Sequence, residues 1–115
     1  MPQLVQLRST CNHGNVCPTL HYQPDSDDFL IQGYTVTDSE VLAGLNLPTG
    51  RTVVRVPTYL LPELRPDPDA VALLMQGEEV NDVELLTALN LPMGETVVRV
   101  PAAALPKLRK ELQRC

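Results

Sequence analysis

Large aromatic side chains are nearly absent. There is no tryptophan and one phenylalanine, Phe29, beside Tyr22, Tyr34 and Tyr59. A core without large rings has to be assembled from Leu and Val. Cationic charge is also short, with nine Lys and Arg against fourteen Asp and Glu and a net charge of −5. Nucleic-acid binding normally needs a basic face, so this balance disfavours it. No apolar run approaches the roughly 20 residues of a membrane span. Met1–Arg8 lacks a basic stretch leading into an apolar one, so no secretory leader is expected and the reading is a cytoplasmic protein with no membrane partner. The parts of an active site are missing too. No serine stands near a plausible His–Asp pair, no glycine loop would cradle phosphate, and carboxylates cluster only in turns. Cys17 with His13 or His21 would make a thiolate–imidazole pair, but nothing supplies an oxyanion site or a third, orienting residue. The sequence predicts no catalytic residues and no enzyme.

What the chain does have is a repeat. Leu45–Pro57 recurs 44 residues later as Leu89–Pro101, and extending the match sets Phe29–Leu64 against Leu73–Leu108 with 21 of 36 positions identical and no gap. An internal duplication of this size is a structural unit used twice. At 115 residues the chain fits one domain. It divides into a Cys/His-bearing arm and hairpin (1–28), a first copy (29–64), a proline-stiffened linker (65–72), a second copy (73–108) and a C-terminal amphipathic helix (106–114). Eleven prolines call for short elements with sharp stops.

Within each copy the order is strand, helix, strand, turn. Phe29–Val36 is rich in β-branched and aromatic residues, and its counterpart is placed at 70–77. Gly33 and Gly77 are equivalent, which points to a bulge or a close backbone approach in both. Thr37 with Glu40, and Asn81 with Glu84, form capping boxes for helices over 38–45 and 82–89. Asn46 and Asn90 stand where a left-handed helix end is wanted. Arg51–Val56 and 95–100 are strands, each closed by a proline. Residues 1–10 suit an edge strand, 16–22 a second strand, and Gln23–Asp28 a solvated turn between that strand and the first copy. The expected fold is α+β: internally duplicated strand–helix–strand–turn units with pseudo-two-fold symmetry, preceded by a β-hairpin.

Matched positions are mostly apolar or turn residues, so the duplication has kept its packing. Arg55 and Arg99 are charged yet retained in mid-strand, and a repeated salt bridge with Glu40 and Glu84 is the simplest reason. Surface positions diverge: Tyr34, Arg51 and Tyr59 of the first copy become Glu78, Glu95 and Ala103. Tyrosine and arginine are favoured at binding hot spots, so Tyr34, Arg51 and Tyr59 are the candidate contacts for a protein partner. Were the partner nucleic acid instead, Arg51, Arg55 and Arg99 would be the contacts. Cys11, His13, Cys17 and His21 place four zinc-type ligands within eleven residues, around a permissive Gly14. The spacing lacks the paired C-x2-C knuckle of zinc motifs, and a turn followed by a strand is the favoured reading of the stretch. No cofactor is required, and zinc is the ion that this set would take.

Two resemblances follow from these motifs. Gly14–Cys17 leading into a strand and hairpin, followed by Val53–Pro57 and a Leu-rich turn, resembles the small BldB-type proteins of filamentous actinobacteria. That likeness, over roughly 11–64, implies a non-enzymatic partner of helix-turn-helix transcription regulators. Leu45–Gly50 followed by Thr52–Leu61 is similar to the swapped-hairpin factors of the AbrB/MazE kind. A fused duplicate of that unit would mimic their dimer and implies DNA contacts from basic residues. The primary expectation is a protein-interaction module, with DNA binding second and a small zinc-binding protein third.

Overall fold

The computed structural model describes residues 3–9 and 18–112. The fold is mixed α+β, with a six-stranded antiparallel sheet and three helices. The strands are β1 (Val5–Ser9), β2 (Thr19–Gln23), β3 (Asp28–Thr35), β4 (Arg51–Pro57), β5 (Ala72–Glu79) and β6 (Glu95–Pro101). The helices are α1 (Ser39–Leu45), α2 (Val83–Leu89) and α3 (Pro106–Leu112), and short 3-10 turns sit at Pro62–Leu64 and Ala102–Ala104. The expected repeat strands are present, and within the expected 1–10 and 16–22 strands the structure has Val5–Ser9 and Thr19–Gln23, residues 1, 2, 10, 16 and 17 lying outside the described residues. The strand placed at 70–77 begins later, at Ala72. A turn precedes it, in which the Asp69 N–H donates to Asp67 Oδ1 and the Ala70 N–H to the Asp67 carbonyl.

Neither α1 nor α2 is capped at its N-terminus as the sequence reading had it. The N-caps are Asp38 and Asp82, one residue beyond Thr37 and Asn81. Asp38 Oδ1 accepts from the Glu40 and Val41 N–H groups, and Asp82 Oδ1 from those of Glu84 and Leu85. A carboxylate satisfies these donors and complements the positive helix end, so it wins over the neighbouring hydroxyl or amide. The C-caps are as expected: Asn46 and Asn90 adopt left-handed φ values of 52° and 49°.

Strands β3 to β6 close a ring. β3 pairs over its length with β6, from Asp28↔Pro101 to Tyr34↔Glu95, and β4 pairs with β5, from Pro57↔Ala72 to Arg51↔Glu78. Two short contacts complete the circuit: Tyr34↔Arg55 and Thr35↔Val54 between β3 and β4, and Glu78↔Arg99 and Glu79↔Val98 between β5 and β6. The ring is narrow where strands cross. A Cβ on Gly33 would lie 2.7 Å from the Arg55 carbonyl oxygen, and one on Gly77 2.6 Å from that of Arg99. The close backbone approach anticipated at both glycines is therefore real, and it is what excludes a side chain there.

Alternation along the strands builds two cores. Phe29, Ile31, Val54, Val56, Leu73, Val98 and Val100 fill the main cluster with Leu20, Leu60, Leu61 and Leu108. Outside the ring, Leu85 and Leu89 of α2 pack with Leu30, Val80 and Val97. Helix α1 is different: its Val41, Leu42 and Leu45 are only half-buried. β2 covers β3 on its remaining side, from Thr19↔Gln32 to Gln23↔Asp28, and β1 covers β2.

Candidate interaction surface

The outward residues of β3, β4 and β5 carry the candidate partner contacts. Tyr34 (47% exposed) is the last but one residue of β3 and lies opposite Arg55 of β4. Arg55 and Arg51 sit on one face of β4 with Val53 between them, and both are exposed. Across β5, Arg55 faces Leu74 and Arg51 faces Glu78. Tyr59 (68% exposed) lies beyond the end of β4, in the turn before Pro62. The structure thus brings Tyr34 beside Arg55 with Arg51 on the same strand face, and sets Tyr59 apart past the strand end.

The repeated salt bridge does not form as expected. Arg99 Nε lies 3.7 Å from Asp28 Oδ2, and its guanidinium donates to Gln23 Oε1 at 3.5 Å. Neither Glu84 nor Glu40 takes part, because both sit exposed in the first turns of their helices. Arg55 makes no ion pair among the described residues. The reason is one residue: Ala72 stands in β5 where Asp28 stands in β3. Nor do Arg51, Arg55 and Arg99 line up as a basic stripe, since Glu78 is the cross-strand neighbour of both Arg51 and Arg99.

Of the metal candidates, Cys11, His13 and Cys17 lie outside the described residues. His21 is buried in β2, with Nε2 3.2 Å from Gln32 Oε1, and the Gln32 amide donates to Glu95 Oε1 at 3.1 Å. That chain makes His21 Nε2 the donor to Gln32. Burial pushes the His21 imidazole below its ordinary value, opposed by this hydrogen bond. Burial pushes Glu95 up, opposed by the amide of Gln32. Among the described residues no group of three His, Cys, Asp or Glu side chains is placed to hold a metal ion.

Among the described residues, two of the shallow clefts lie near the ends of the ring strands. One of about 290 Å³ runs between the two 3-10 turns, by Glu63, Arg65, Leu105 and Lys107. The other, of about 250 Å³, is lined by Thr52, Glu79, Asn81 and Thr96. Both fall below the usual range of small-molecule sites, roughly 300–1,000 Å³. Neither contains a paired nucleophile and base. Sequence reasoning missed Leu74 and Gln76, which are exposed on β5 although their identical counterparts Leu30 and Gln32 are buried. The available signal was the segment in front of each strand: Thr19–Gln23 precedes β3 as a strand, whereas the proline-rich Arg65–Val71 precedes β5. No protein-family model, curated protein or solved structure matches this chain.

Proposed function

We propose that the chain is a fused duplicate with pseudo-two-fold symmetry that works as a non-enzymatic docking module for a protein partner, a transcription regulator being the partner class in view. The register supports the duplication: adding 44 to Tyr34↔Arg55 yields Glu78↔Arg99, and β3–β6 maps onto β5–β4 when 44 is added on β3 and subtracted on β6, as Asp28↔Pro101 becomes Ala72↔Pro57. The observation that carries the docking reading is the exposed row Tyr34, Arg55 and Leu74. It sets an aromatic ring, a guanidinium without an ion-pair partner among the described residues, and an aliphatic side chain side by side on rigid strands. Such residues dominate binding energy when a partner desolvates them. Arg51 and Tyr59 extend the surface along and beyond β4.

The test is affinity capture from the native host with and without nuclease, repeated with Tyr34→Ala and Arg55→Ala. A stoichiometric protein that survives nuclease, and that either substitution weakens about tenfold or more, supports the module. Capture indifferent to both substitutions sinks it. A second reading, a DNA-binding swapped hairpin, draws on the exchange of strands between repeats, in which the first strand of each pairs along the second strand of the other. Glu78 between Arg51 and Arg99 weighs against it, and recovery of DNA lost on nuclease treatment would favour it.

A further inference from the structure

Leu30 and Gln32 of β3 are fully buried, while Leu74 and Gln76 of β5, the same residue types at equivalent places, are exposed, Leu74 to 42%. The difference is an absent neighbour. β3 is flanked by β6 and β2, whereas β5 is paired along Ala72–Glu78 with β4 and meets β6 only at Glu78 and Glu79. Among the described residues, nothing pairs with the other side of β5 from Ala72 to Gln76.

The hydrogen-bond phase shows what this edge offers. The Thr58 N–H donates to the Val71 carbonyl at 3.1 Å, and the Glu79 N–H to that of Gly50 at 2.9 Å. Bonded pairs alternate along an antiparallel ladder, so the odd-numbered residues of this stretch turn their backbone groups to β4. Ala72, Leu74 and Gln76 therefore direct N–H and C=O to the open side. In β3 the phase is the same: the Thr35 N–H donates to Gly94 and the Ala102 N–H to Asp27, which leaves Asp28, Leu30 and Gln32 to face β2.

We infer that this edge is a self-association site: β5 pairs antiparallel with β5 of a second copy of the chain, with Leu74 on the two-fold axis. The phase is self-complementary. Leu74 meets Leu74, and Ala72 meets Gln76 of the second copy, so all three outward-facing residues find bonded partners in an isologous contact. The same register sets Glu78 against Ala70 of the second copy, so no like charges oppose each other across the paired segment. The two docking rows then become continuous as Arg55, Leu74, Leu74, Arg55. The state of the edge is a further argument. Exposed edges are usually blunted by charge, proline or a bulge. β1, whose outer side is also unpaired among the described residues, has Arg8 and a register shift between Gln6 and Arg8. β5 has none of these from Ala72 to Gln76, and its register with β4 is unbroken. The inference rests on the unpaired backbone edge of β5 and not on the partner reading, although Leu74 belongs to both surfaces, and sedimentation of the chain alone separates the two.

Sedimentation of the full chain from micromolar to millimolar concentration, wild type beside Leu74→Lys, reads this directly. The expected result is a wild-type mass approaching twice 12.7 kDa and a Leu74→Lys protein at 12.7 kDa with an unchanged circular dichroism spectrum. Amide exchange of Leu74 and Gln76 in the unmodified chain gives a second readout: protection should rise with concentration there and stay constant in β4. A wild type that remains monomeric, or a dimer that keeps its mass in Leu74→Lys, overturns the proposal. So does fast exchange at Leu74 and Gln76 at every concentration. Protection that arises only when another protein is added also overturns it, and hands the edge to that protein's strand.

Discussion

Glycines that look alike in the sequence do opposite work. At Gly33 the nearest atoms to an added Cβ are the Arg55 carbonyl oxygen and Val56 Cγ1, both at 2.7 Å, and the first is backbone that cannot swing away. Gly33→Ala and Gly77→Ala should each destabilise the protein by about 1–3 kcal/mol, as overpacking does, with the larger value where the ring cannot widen. Gly44 of α1 has nothing within 4 Å of such a Cβ, and Ala88 already occupies the equivalent place in α2. Gly44→Ala should stabilise by about 0.5–1 kcal/mol through helix propensity. Urea unfolding of the three variants checks all three signs. The sequence could flag Gly33 and Gly77 because they recur, but it could not tell which glycine touches what, since the touching carbonyls are more than twenty residues away.

At the scale of the element, one sequence pattern meets two surroundings. Helices α1 and α2 share their Asp N-caps, Asn C-caps and apolar spacing, all legible without a structure apart from the one-residue shift of the caps. Packing is not shared. Leu89 is buried against β3 and β6, whereas Leu45 is half-buried on a helix that buries no residue fully. Leu89→Ala should cost about 2–4 kcal/mol in urea unfolding and Leu45→Ala less than about 1.5 kcal/mol. Equal losses would mean that α1 is as firmly seated as α2. The arm contributes a second element-scale link. Arg8 of β1 donates to both carboxylate oxygens of Glu63 and, at 3.0 Å, to the Leu60 carbonyl, tying β1 to the Pro62–Leu64 turn. That guanidinium holds Glu63 below its ordinary value of 4.5. A depressed carboxylate contributes stability that is fully present above 4.5 and lost as pH falls through the folded-state value. Urea midpoints should therefore drop more steeply in wild type than in Glu63→Gln between about pH 5 and about pH 3.

The whole molecule is where the sequence is least legible. Repeats with 21 of 36 positions identical raise the expectation of a duplication, and strand and helix periods place the elements, but neither says that β3 should pair along β6 rather than along β4, the second strand of the same repeat. That choice depends on contacts about 70 residues apart, which local propensity does not encode. It has a consequence that separates this fold from two tandem domains. Residues 29–64 alone retain only the two-residue contact Tyr34↔Arg55 and Thr35↔Val54, and residues 73–108 only its counterpart, so neither repeat holds a ladder of its own. A chain divided at the exposed Asp67–Pro68 linker should give an N-terminal fragment that keeps no more than the β1–β2–β3 ladders and a C-terminal fragment that is largely unfolded by circular dichroism, and the two should regain the native spectrum on mixing in equal amounts. Because joining makes the pairing intramolecular, the reconstituted pair should melt at a lower temperature than the intact chain and should melt lower still on dilution. A fragment that folds alone as a monomer, with sharp tertiary signals and no dependence on the other, would show that the repeats close on themselves and that the exchanged ladder is not what holds the ring together.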